Sequence, residues 1–260
     1  MGRHNKRVTE SYLNIYLICS SGASKIKIGK VALIIPTYNE AKSIALLINR
    51  IFDKSKKNNI GIEIIIIDDN SPDGTGAIAD KLAEKYPIRV IHRPYRIGLS
   101  SAVESGFKIA KTGIVGVMDA DLSHPPELIP QLIAELKDND IAVGSRYTIC
   151  GGVETWSFYR RAVSQIAILL TKPLTQVKDP MSGFFFLNRN VIKDINFKSK
   201  GYKILLEILV KGEYNKIKEV PYIFKNRFVG SSKLNYKEYL KYLLDILRLY
   251  HYKINRRWTK

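Results

Sequence analysis

Five short apolar runs between residues 31 and 145 alternate with stretches whose apolar residues follow helical spacing. The second run, IEIIIID, is continuously apolar, as strands are when helices cover both faces of a parallel sheet. This alternation predicts an α/β fold with a doubly wound, open and mostly parallel sheet. The predicted strands are 31–36, 62–68, 88–93, 113–119 and 140–145, and the predicted helices between them are 40–53, 74–85, 99–111 and 126–137.

The alternation ends after residue 147, where two adjacent glycines mark a loop. Beyond it we predict helix 157–172, helix 202–212, strand 217–224 and a closing helix 236–253, with the segment DPMSGFFFL at 179–187 and a loop at 226–235. The organisation expected is a flexible extension over 1–28, one large domain over 29–234, and a basic amphipathic helix and tail over 235–260.

Four polar segments follow predicted strands, at 36–40, 68–75, 119–126 and 144–147. In open α/β sheets, ligands bind outside the carboxyl ends of the strands. Each segment also has a purely structural interpretation, such as Asn39 as a helix N-cap or Asp119 as the end of a strand. Because all four are expected on one edge of the sheet, the pattern as a whole favours a binding site.

The stretch VMDADLSHPPE places Asp119 and Asp121 directly after an apolar strand. Carboxylate oxygens are ligands that hard divalent cations prefer. On this spacing alone, however, a polar turn is favoured over a metal site, and the two prolines would begin a helix in either case. His124 is expected to be a turn residue ahead of those prolines.

The chain is strongly basic, with 42 Lys+Arg against 24 Asp+Glu and a formal net charge of +18. Much of the excess lies in residues 189–260, which hold 18 basic and 6 acidic residues. Such a surface favours nucleic acid, anionic lipid or phosphorylated substrates. A nucleic-acid-binding protein without catalytic activity is therefore one alternative, although the carboxylates at the strand ends would repel a phosphate backbone unless a metal intervened.

The closing helix has a narrow polar stripe and a wide face of leucine and tyrosine. The stripe consists of Lys237, Lys241, Asp245 and Arg248, and Arg256, Arg257 and Trp258 follow it. A wide apolar face with flanking cations is typical of a helix that lies in a membrane interface, and docking on the chain's own domain or in a dimer is the alternative. No apolar run reaches the roughly 18–20 residues that cross a bilayer, so we expect peripheral attachment without a transmembrane helix.

Six ordered motifs, PTYNE, DDNSPDGT, DADLSHPPE, GSRY, DPMSGF and RFVGSSKL, resemble those of the family-2 glycosyltransferases of GT-A fold, and more narrowly the dolichol-phosphate (polyprenyl-phosphate) mannosyltransferases. The resemblance runs from Val31 to Leu247. It implies a GT-A catalytic domain over 29–234 that moves mannose from GDP-mannose to a dolichyl (polyprenyl) phosphate, with inversion and with Mg²⁺ or Mn²⁺, at the cytoplasmic face of a membrane. A transferase that uses a UDP sugar, glucose or N-acetylhexosamine, remains the alternative within this class.

The resemblance also implies roles for individual residues. Those implied for the nucleotide sugar are Pro36, Tyr38, Glu40, Ile67, Asp69, Asp119, Ala120, Asp121, Arg146, Arg227 and Lys233. Those implied for the acceptor phosphate are Arg146, Arg160, Ser164 and Ser232, and those for the metal are Asp119, Asp121 and Ser123. Asp119, Asp121 and Arg146 are the expected catalytic residues, while Glu207 is expected to be structural or to contact the sugar. From the charge and the closing helix we further expect an anionic lipid surface and a membrane protein as partners, and no nucleic acid.

Overall fold

The computed structural model describes residues 30–154, 156–198, 203–225 and 236–258, which form a layered α/β domain. The strands are β1 (Val31–Thr37), β2 (Ile62–Asp68), β3 (Ile88–His92), β4 (Ile114–Val117), β5 (Ile141–Ser145), β6 (Gly152–Val153), β7 (Phe185–Asn188), β8 (Ile217–Pro221) and β9 (Ile223–Phe224). The helices are α1 (Ile44–Lys57), α2 (Thr75–Ala83), α3 (Leu99–Ile109), α4 (Ile129–Glu135), α5 (Phe158–Thr171), α6 (Ile204–Lys211) and α7 (Tyr236–Trp258). The five strands predicted up to residue 145 are all present.

In the described part of the chain, seven strands form the main sheet in the order β3-β2-β1-β4-β7-β5-β8. The pairs β1–β2, β1–β4, β2–β3 and β5–β8 are parallel, whereas β7 is antiparallel to both β4 and β5. The predicted open and mostly parallel sheet is therefore confirmed. β7 reverses the direction at the centre of the sheet, and it brings the DPMSGF segment beside the ends of β4 and β5.

Helices cover both faces of this sheet, as the continuously apolar strands predict. Alternate residues of β1 point to opposite cores: Leu33 and Ile35 join the core beneath α1, α2 and α4, whereas Ile34 joins the core beneath α3 and α6. All three side chains are fully buried. This two-sided burial holds the strand ends, and with them the polar segments, in a fixed arrangement.

The predicted strand 217–224 is two strands in the structure. β8 ends at Pro221 in the main sheet, and β9 pairs with β6 in a separate two-stranded sheet. Proline lacks a backbone N–H and cannot donate to a neighbouring strand, which suits the end of a strand. Tyr222 lies at the switch between the sheets and is fully buried, so its side chain points into the protein rather than continuing a ladder.

α7 docks on the domain and exposes a row of leucines. The hydroxyl of Tyr242 donates to the Ala167 carbonyl (2.6 Å), and that of Tyr250 donates to the Leu170 carbonyl (2.9 Å). The predicted polar stripe is partly turned inward, since Asp245 is buried and Arg248 pairs with it (3.0 Å). The exposed apolar residues of α7 are Leu240, Leu243, Leu244, Leu247 and Ile254.

None of the helices in the described ranges is both long and apolar enough to cross a membrane. The proposed extension over 1–28 lies outside the described residues, as does the loop over 226–235.

Candidate active site

The first two polar segments contact each other through backbone-to-side-chain hydrogen bonds. The backbone N–H of Glu40 donates to Oγ1 of Thr75 (2.8 Å), and that of Ala41 donates to Oδ2 of Asp73 (3.1 Å). Thr75 and Asp73 in turn hydrogen-bond to each other. The loops after β1 and β2 therefore form one connected rim, as expected for neighbouring parallel strands.

The residues implied for the nucleotide lie along this rim. Pro36 of β1 is directly beside Ile67 of β2 in the sheet register. The Ile67 side chain is fully buried in the core, so a contact with a nucleotide would have to come from its backbone. The guanidinium of Arg96 lies 4.0 Å from the centre of the Tyr38 ring, a cation–π distance. Glu40 is partly buried beside them.

Asp69 binds the loop that carries Arg96. Its two carboxylate oxygens accept hydrogen bonds from the backbone N–H groups of Ile97 (2.9 Å) and Gly98 (2.8 Å), and Arg93 pairs with it at 3.1 Å. Both side chains of the ion pair are almost fully buried. Asp69 thus positions the rim after β3, and its direct contact with a nucleotide stays a prediction.

The turn 119–123 follows β4 and holds two carboxylates side by side. Asp121 is nearly buried, and its Oδ1 accepts from the hydroxyl (2.5 Å) and the backbone N–H (3.1 Å) of Ser123. Between them, Leu122 has a φ of 62°, an uncommon conformation for a residue with a side chain. The geometry gives Ser123 the role of orienting Asp121, and its predicted contact with a metal stays a prediction.

Asp119 lies between a histidine and a glycine. Oδ2 of Asp119 is 3.1 Å from Nε2 of His124, so His124 is more than the turn residue expected. A Cβ built on Gly183 would come within 2.7 Å of the same oxygen. A larger residue at position 183 would therefore displace the Asp119 carboxylate.

The turn suits a divalent cation that is shared with a substrate. In the described residues, no group of three or more His, Cys, Asp or Glu side chains is arranged to hold a metal alone. Mg²⁺ and Mn²⁺ prefer oxygen ligands, and Mg²⁺ is commonly held by one or two carboxylates together with substrate phosphates and water. Asp119 and Asp121 offer that donor set, so the residues present fit such a metal.

A buried cation lies at the end of β5. Arg146 makes a bidentate ion pair with Asp179 through Nε (2.8 Å) and Nη2 (2.7 Å), and its backbone N–H donates to the same carboxylate (2.9 Å). Burial alone would lower the pKa of Arg146, but the carboxylate of Asp179 raises it above its usual value. Arg146 is therefore fully charged at any physiological pH.

The other cations implied for the acceptor lie next to Arg146. The guanidiniums of Arg146 and Arg160 are 5.6 Å and 4.3 Å from the Trp156 ring centre. Ser164, one helical turn after Arg160, hydrogen-bonds through its hydroxyl to the hydroxyl of Tyr147 (2.7 Å). The structure thus brings Arg146, Arg160 and Ser164 together, while Arg227, Ser232 and Lys233 lie outside the described residues.

Residues 32–196, more than half of the chain, match the model of the family "Glycosyl transferase family 2". The chain belongs to this family. Dolichol-phosphate mannosyltransferases are among its relatives: that of Pyrococcus furiosus is 47% identical over 85% of this chain, and that of Saccharomyces cerevisiae is 40% identical over 85% of this chain and 87% of its own length. The chain spans 63% of the length of the Pyrococcus relative.

Solved glycosyltransferases share the fold of this family 2 member. A mannosyltransferase from Pyrobaculum calidifontis, solved with GDP-Man and Mn²⁺, has a TM-score of 0.60 at 16% identity, over 92% of this chain and 71% of its own. Glucosyl-3-phosphoglycerate synthase from Mycobacterium tuberculosis, solved with UDP, has a TM-score of 0.63 at 18% identity, over 85% of this chain and 80% of its own. The predicted GT-A fold is confirmed.

Lys203 lies among the charged groups of the candidate site of this glycosyltransferase, and the sequence did not predict it. It precedes α6, is partly buried, and interacts electrostatically with Arg146, Asp179 and Asp119. Burial and the neighbouring Arg146 lower the pKa of Lys203 to about 8, although the two carboxylates oppose the shift. No local pattern marks it, because the residues that it approaches are distant in sequence.

Glu207 lies one turn after Lys203 and is committed to structural contacts. It is fully buried and pairs with Lys211 (2.5 Å), and it accepts a hydrogen bond from the Lys198 backbone (2.9 Å). Arg248 of α7 approaches the same carboxylate oxygen at 3.8 Å. These contacts agree with the structural interpretation of Glu207 and connect α6 to α7.

Proposed function

We propose that this family 2 glycosyltransferase moves mannose from GDP-mannose to dolichyl (polyprenyl) phosphate, with inversion and with Mg²⁺ or Mn²⁺, to give dolichyl-phosphate-mannose. The observation that carries the proposal is the meeting of a carboxylate turn, Asp119–Asp121, with two cations: Arg146 at the end of β5 and Lys203 just before α6. The identity to dolichol-phosphate mannosyltransferases from three organisms, at 37–47%, supports this substrate pair.

On the donor side, we assign the diphosphate to Asp119 and Asp121 by way of the metal. A bound divalent cation supplies charge stabilisation for the departing GDP. The chain itself orients the two carboxylates, through His124 for Asp119 and Ser123 for Asp121. The base and ribose are assigned to the rim that contains Pro36, Tyr38, Glu40, Ile67, Asp69 and Ala120.

On the acceptor side, the chain supplies cations rather than a base. A phosphate monoester is already ionised at neutral pH, so its oxygen needs no proton removed before it attacks the sugar. This agrees with the commitment of Glu207 to Lys211. Arg146, Arg160 and Ser164 would hold the phosphate, with Arg227, Ser232 and Lys233 contributing from the loop over 226–235.

A buried hydrogen-bond donor without a partner in the described part of the chain supports the binding of an anion beside Arg146 and Arg160. Nε1 of Trp156 is buried and has no hydrogen-bond partner among the residues that the structure describes. Leaving such a group unpaired costs about 1–3 kcal/mol. The Trp156 ring is in contact with Arg146 and Arg160, so an acceptor phosphate would find a neutral N–H donor among the cations.

The test is transfer of radiolabelled mannose from GDP-mannose to a polyprenyl phosphate, with and without EDTA. We expect a labelled lipid product that EDTA suppresses and that added Mg²⁺ or Mn²⁺ restores. UDP-glucose and UDP-N-acetylglucosamine serve as parallel donors. Incorporation only from a UDP sugar would replace the mannose assignment by the UDP-sugar alternative, and no incorporation from any donor would reject both.

Replacing Lys203 by Met should change mannose transfer and stability in opposite directions. At pH 7 we expect a loss of transfer of about 10–100-fold, the value of one hydrogen bond to a charged group. The folded-state pKa of Lys203 is about 8, below its value of 10.5 in the unfolded chain. The charge on Lys203 therefore lowers the free energy of unfolding. The reduction is complete below pH 8 and becomes smaller as the pH rises to 10.5.

Thermal unfolding between pH 7 and pH 10.5 measures the effect of the Lys203 charge on stability. The Lys203→Met protein should unfold at a higher temperature than the wild type at pH 7, and the difference should shrink as the pH rises above 8. Lys108→Met, at an exposed lysine of α3, should change neither activity nor the pH profile. A Lys203→Met protein that is both fully active and less stable than the wild type would contradict the assignment.

We assign α5 and α7 to contact with the cytoplasmic face of an anionic membrane. Tyr242 and Tyr250 join α7 to α5, and both helices expose large apolar side chains. Those of α5 are Phe158, Tyr159, Ile166, Leu169 and Leu170. A basic chain with such a surface is suited to anionic lipid, and a membrane-protein partner would be a further contact.

Flotation with anionic liposomes tests the assignment. Inserting one leucine into the lipid contributes about 1.5–3 kcal/mol, so Leu244→Glu should lower the partition coefficient onto the liposomes at least about tenfold. Leu46→Glu replaces an exposed leucine of α1 and should float as the wild type does. Equal losses in both variants, or a wild-type protein that does not float, would reject the assignment.

A further inference from the structure

His124 connects a buried tyrosine to the carboxylate turn. Its side chain is almost fully buried. Nε2 lies 3.1 Å from Oδ2 of Asp119, and Nδ1 lies 3.0 Å from the hydroxyl of Tyr222, which is 98 residues away in sequence. The three side chains therefore form one hydrogen-bonded chain that runs from the core to the carboxylate turn.

The direction of these hydrogen bonds follows from the groups at the two ends of this hydrogen-bonded chain. Burial raises the pKa of Tyr222 well above its usual value, with only partial opposition from Arg146. The phenol thus keeps its proton, and a carboxylate such as that of Asp119 can only accept, so the hydrogen bonds run from the Tyr222 hydroxyl to Nδ1 and from Nε2–H to Asp119. A neutral imidazole that accepts at Nδ1 carries its hydrogen on Nε2, and that hydrogen points to Oδ2 of Asp119.

Aromatic packing fixes the plane of the imidazole. The His124 ring centre is 5.3 Å from that of Phe184 and 5.6 Å from that of Tyr222. Gly183, next to Phe184, lies against the Asp119 carboxylate and leaves it no room to move in that direction. The buried imidazole therefore has little room to rotate, and the partly exposed carboxylate is limited on the side of Gly183.

We propose that Tyr222 and His124 are positioning residues for Asp119, holding Oδ2 so that the carboxylate meets a divalent cation in a single orientation. This inference rests on the proposed function in one respect, the binding of a cation by Asp119. Partners that orient a ligand in this way typically contribute about 10–100-fold to metal affinity. Both residues are assigned to act through Asp119.

The experiment measures Mn²⁺ affinity by the electron paramagnetic resonance signal of free Mn²⁺, on full-length protein saturated with GDP. We expect Tyr222→Phe and His124→Leu to raise the Kd for Mn²⁺ by about 10–100-fold. Tyr222→Phe removes only a hydroxyl and keeps the ring that packs on Phe184. His124→Gln retains an amide N–H that can reach Asp119, and should restore the affinity to within about threefold.

Phe224→Leu is the matched control, since Phe224 packs on His124 and donates no side-chain hydrogen bond. It should lower the unfolding temperature and leave the Kd unchanged.

Unchanged affinity in both Tyr222→Phe and His124→Leu would overturn the proposal, and so would an equal loss in Phe224→Leu. A wild-type protein that binds no Mn²⁺ would reject both this inference and the metal of the proposed function. Weakened binding without any mannose transfer would reject the proposed function alone.

Discussion

Replacing either Asp119 or Asp121 by Asn should lower the rate of mannose transfer about a thousandfold, because the metal supplies several kcal/mol of transition-state stabilisation. Asn keeps the shape of the side chain and removes the negative charge that attracts the cation. The two carboxylates differ in burial and in hydrogen bonding. Asp121 is nearly buried and accepts two hydrogen bonds from Ser123, whereas Asp119 is partly exposed.

Initial rates at saturating GDP-mannose and Mn²⁺ measure the effect, together with the thermal unfolding of each variant. Asp138→Asn removes an exposed carboxylate beyond the end of α4 and should retain full activity. The Asn variants should unfold at or above the wild-type temperature, since residues placed for function often reduce stability. A variant that retains more than about a tenth of the activity would contradict the metal assignment of that carboxylate.

Replacing Asp179 by Asn should have the largest effect on stability. Arg146 would remain almost fully buried with its countercharge removed, and breaking a buried pair in this way costs about 3–5 kcal/mol. In a chain of this size, each kcal/mol lowers the unfolding temperature by roughly 2–4 °C, which gives a fall of about 10 °C. Transfer should also fall, because the guanidinium loses the carboxylate that orients it.

Two companion variants separate charge from packing. Glu127→Gln breaks the part-exposed pair with Arg50 and should cost at most about 1 kcal/mol. The double variant Arg146→Leu/Asp179→Leu removes both buried charges and should be more stable than Asp179→Asn, yet inactive. If Asp179→Asn unfolds at the wild-type temperature, Arg146 has another countercharge and this interpretation of the pair is wrong.

The parts of the fold that depend on local pattern were predictable. β1 and β2 are recognisable as apolar runs with polar ends, and the ligand edge follows from their parallel arrangement. The direction of β7 was not predictable, because the run FFFL is apolar in the same way whichever way the strand runs. The break at Tyr222 likewise depends on which sheet each half of the segment pairs with.

The residues of the candidate site also divide into those that a local pattern predicts and those that only contacts between distant residues reveal. The carboxylate turn and the GSRY arginine lie at strand ends and could be recognised from the sequence. The partners that give them their properties could not, because they are distant along the chain: Asp179 is 33 residues from Arg146, and Tyr222 is 98 residues from His124. Lys203 was missed for the same reason, as only the folded chain brings it near Arg146.

Two charged residues, Lys203 and Glu207, lie four residues apart at the start of α6, a span of about 6 Å along a helix axis. Lys203, directly before the first turn of α6, interacts with Arg146, Asp179 and Asp119, and Glu207 approaches Arg248 of α7. In the proposed membrane arrangement, this short helix would be a spacer between the candidate active site and the surface assigned to the lipid. The acceptor phosphate would then be bound at a fixed height above the bilayer, and its hydrocarbon tail would remain in the lipid. We therefore expect acceptors of different chain length to react at similar rates.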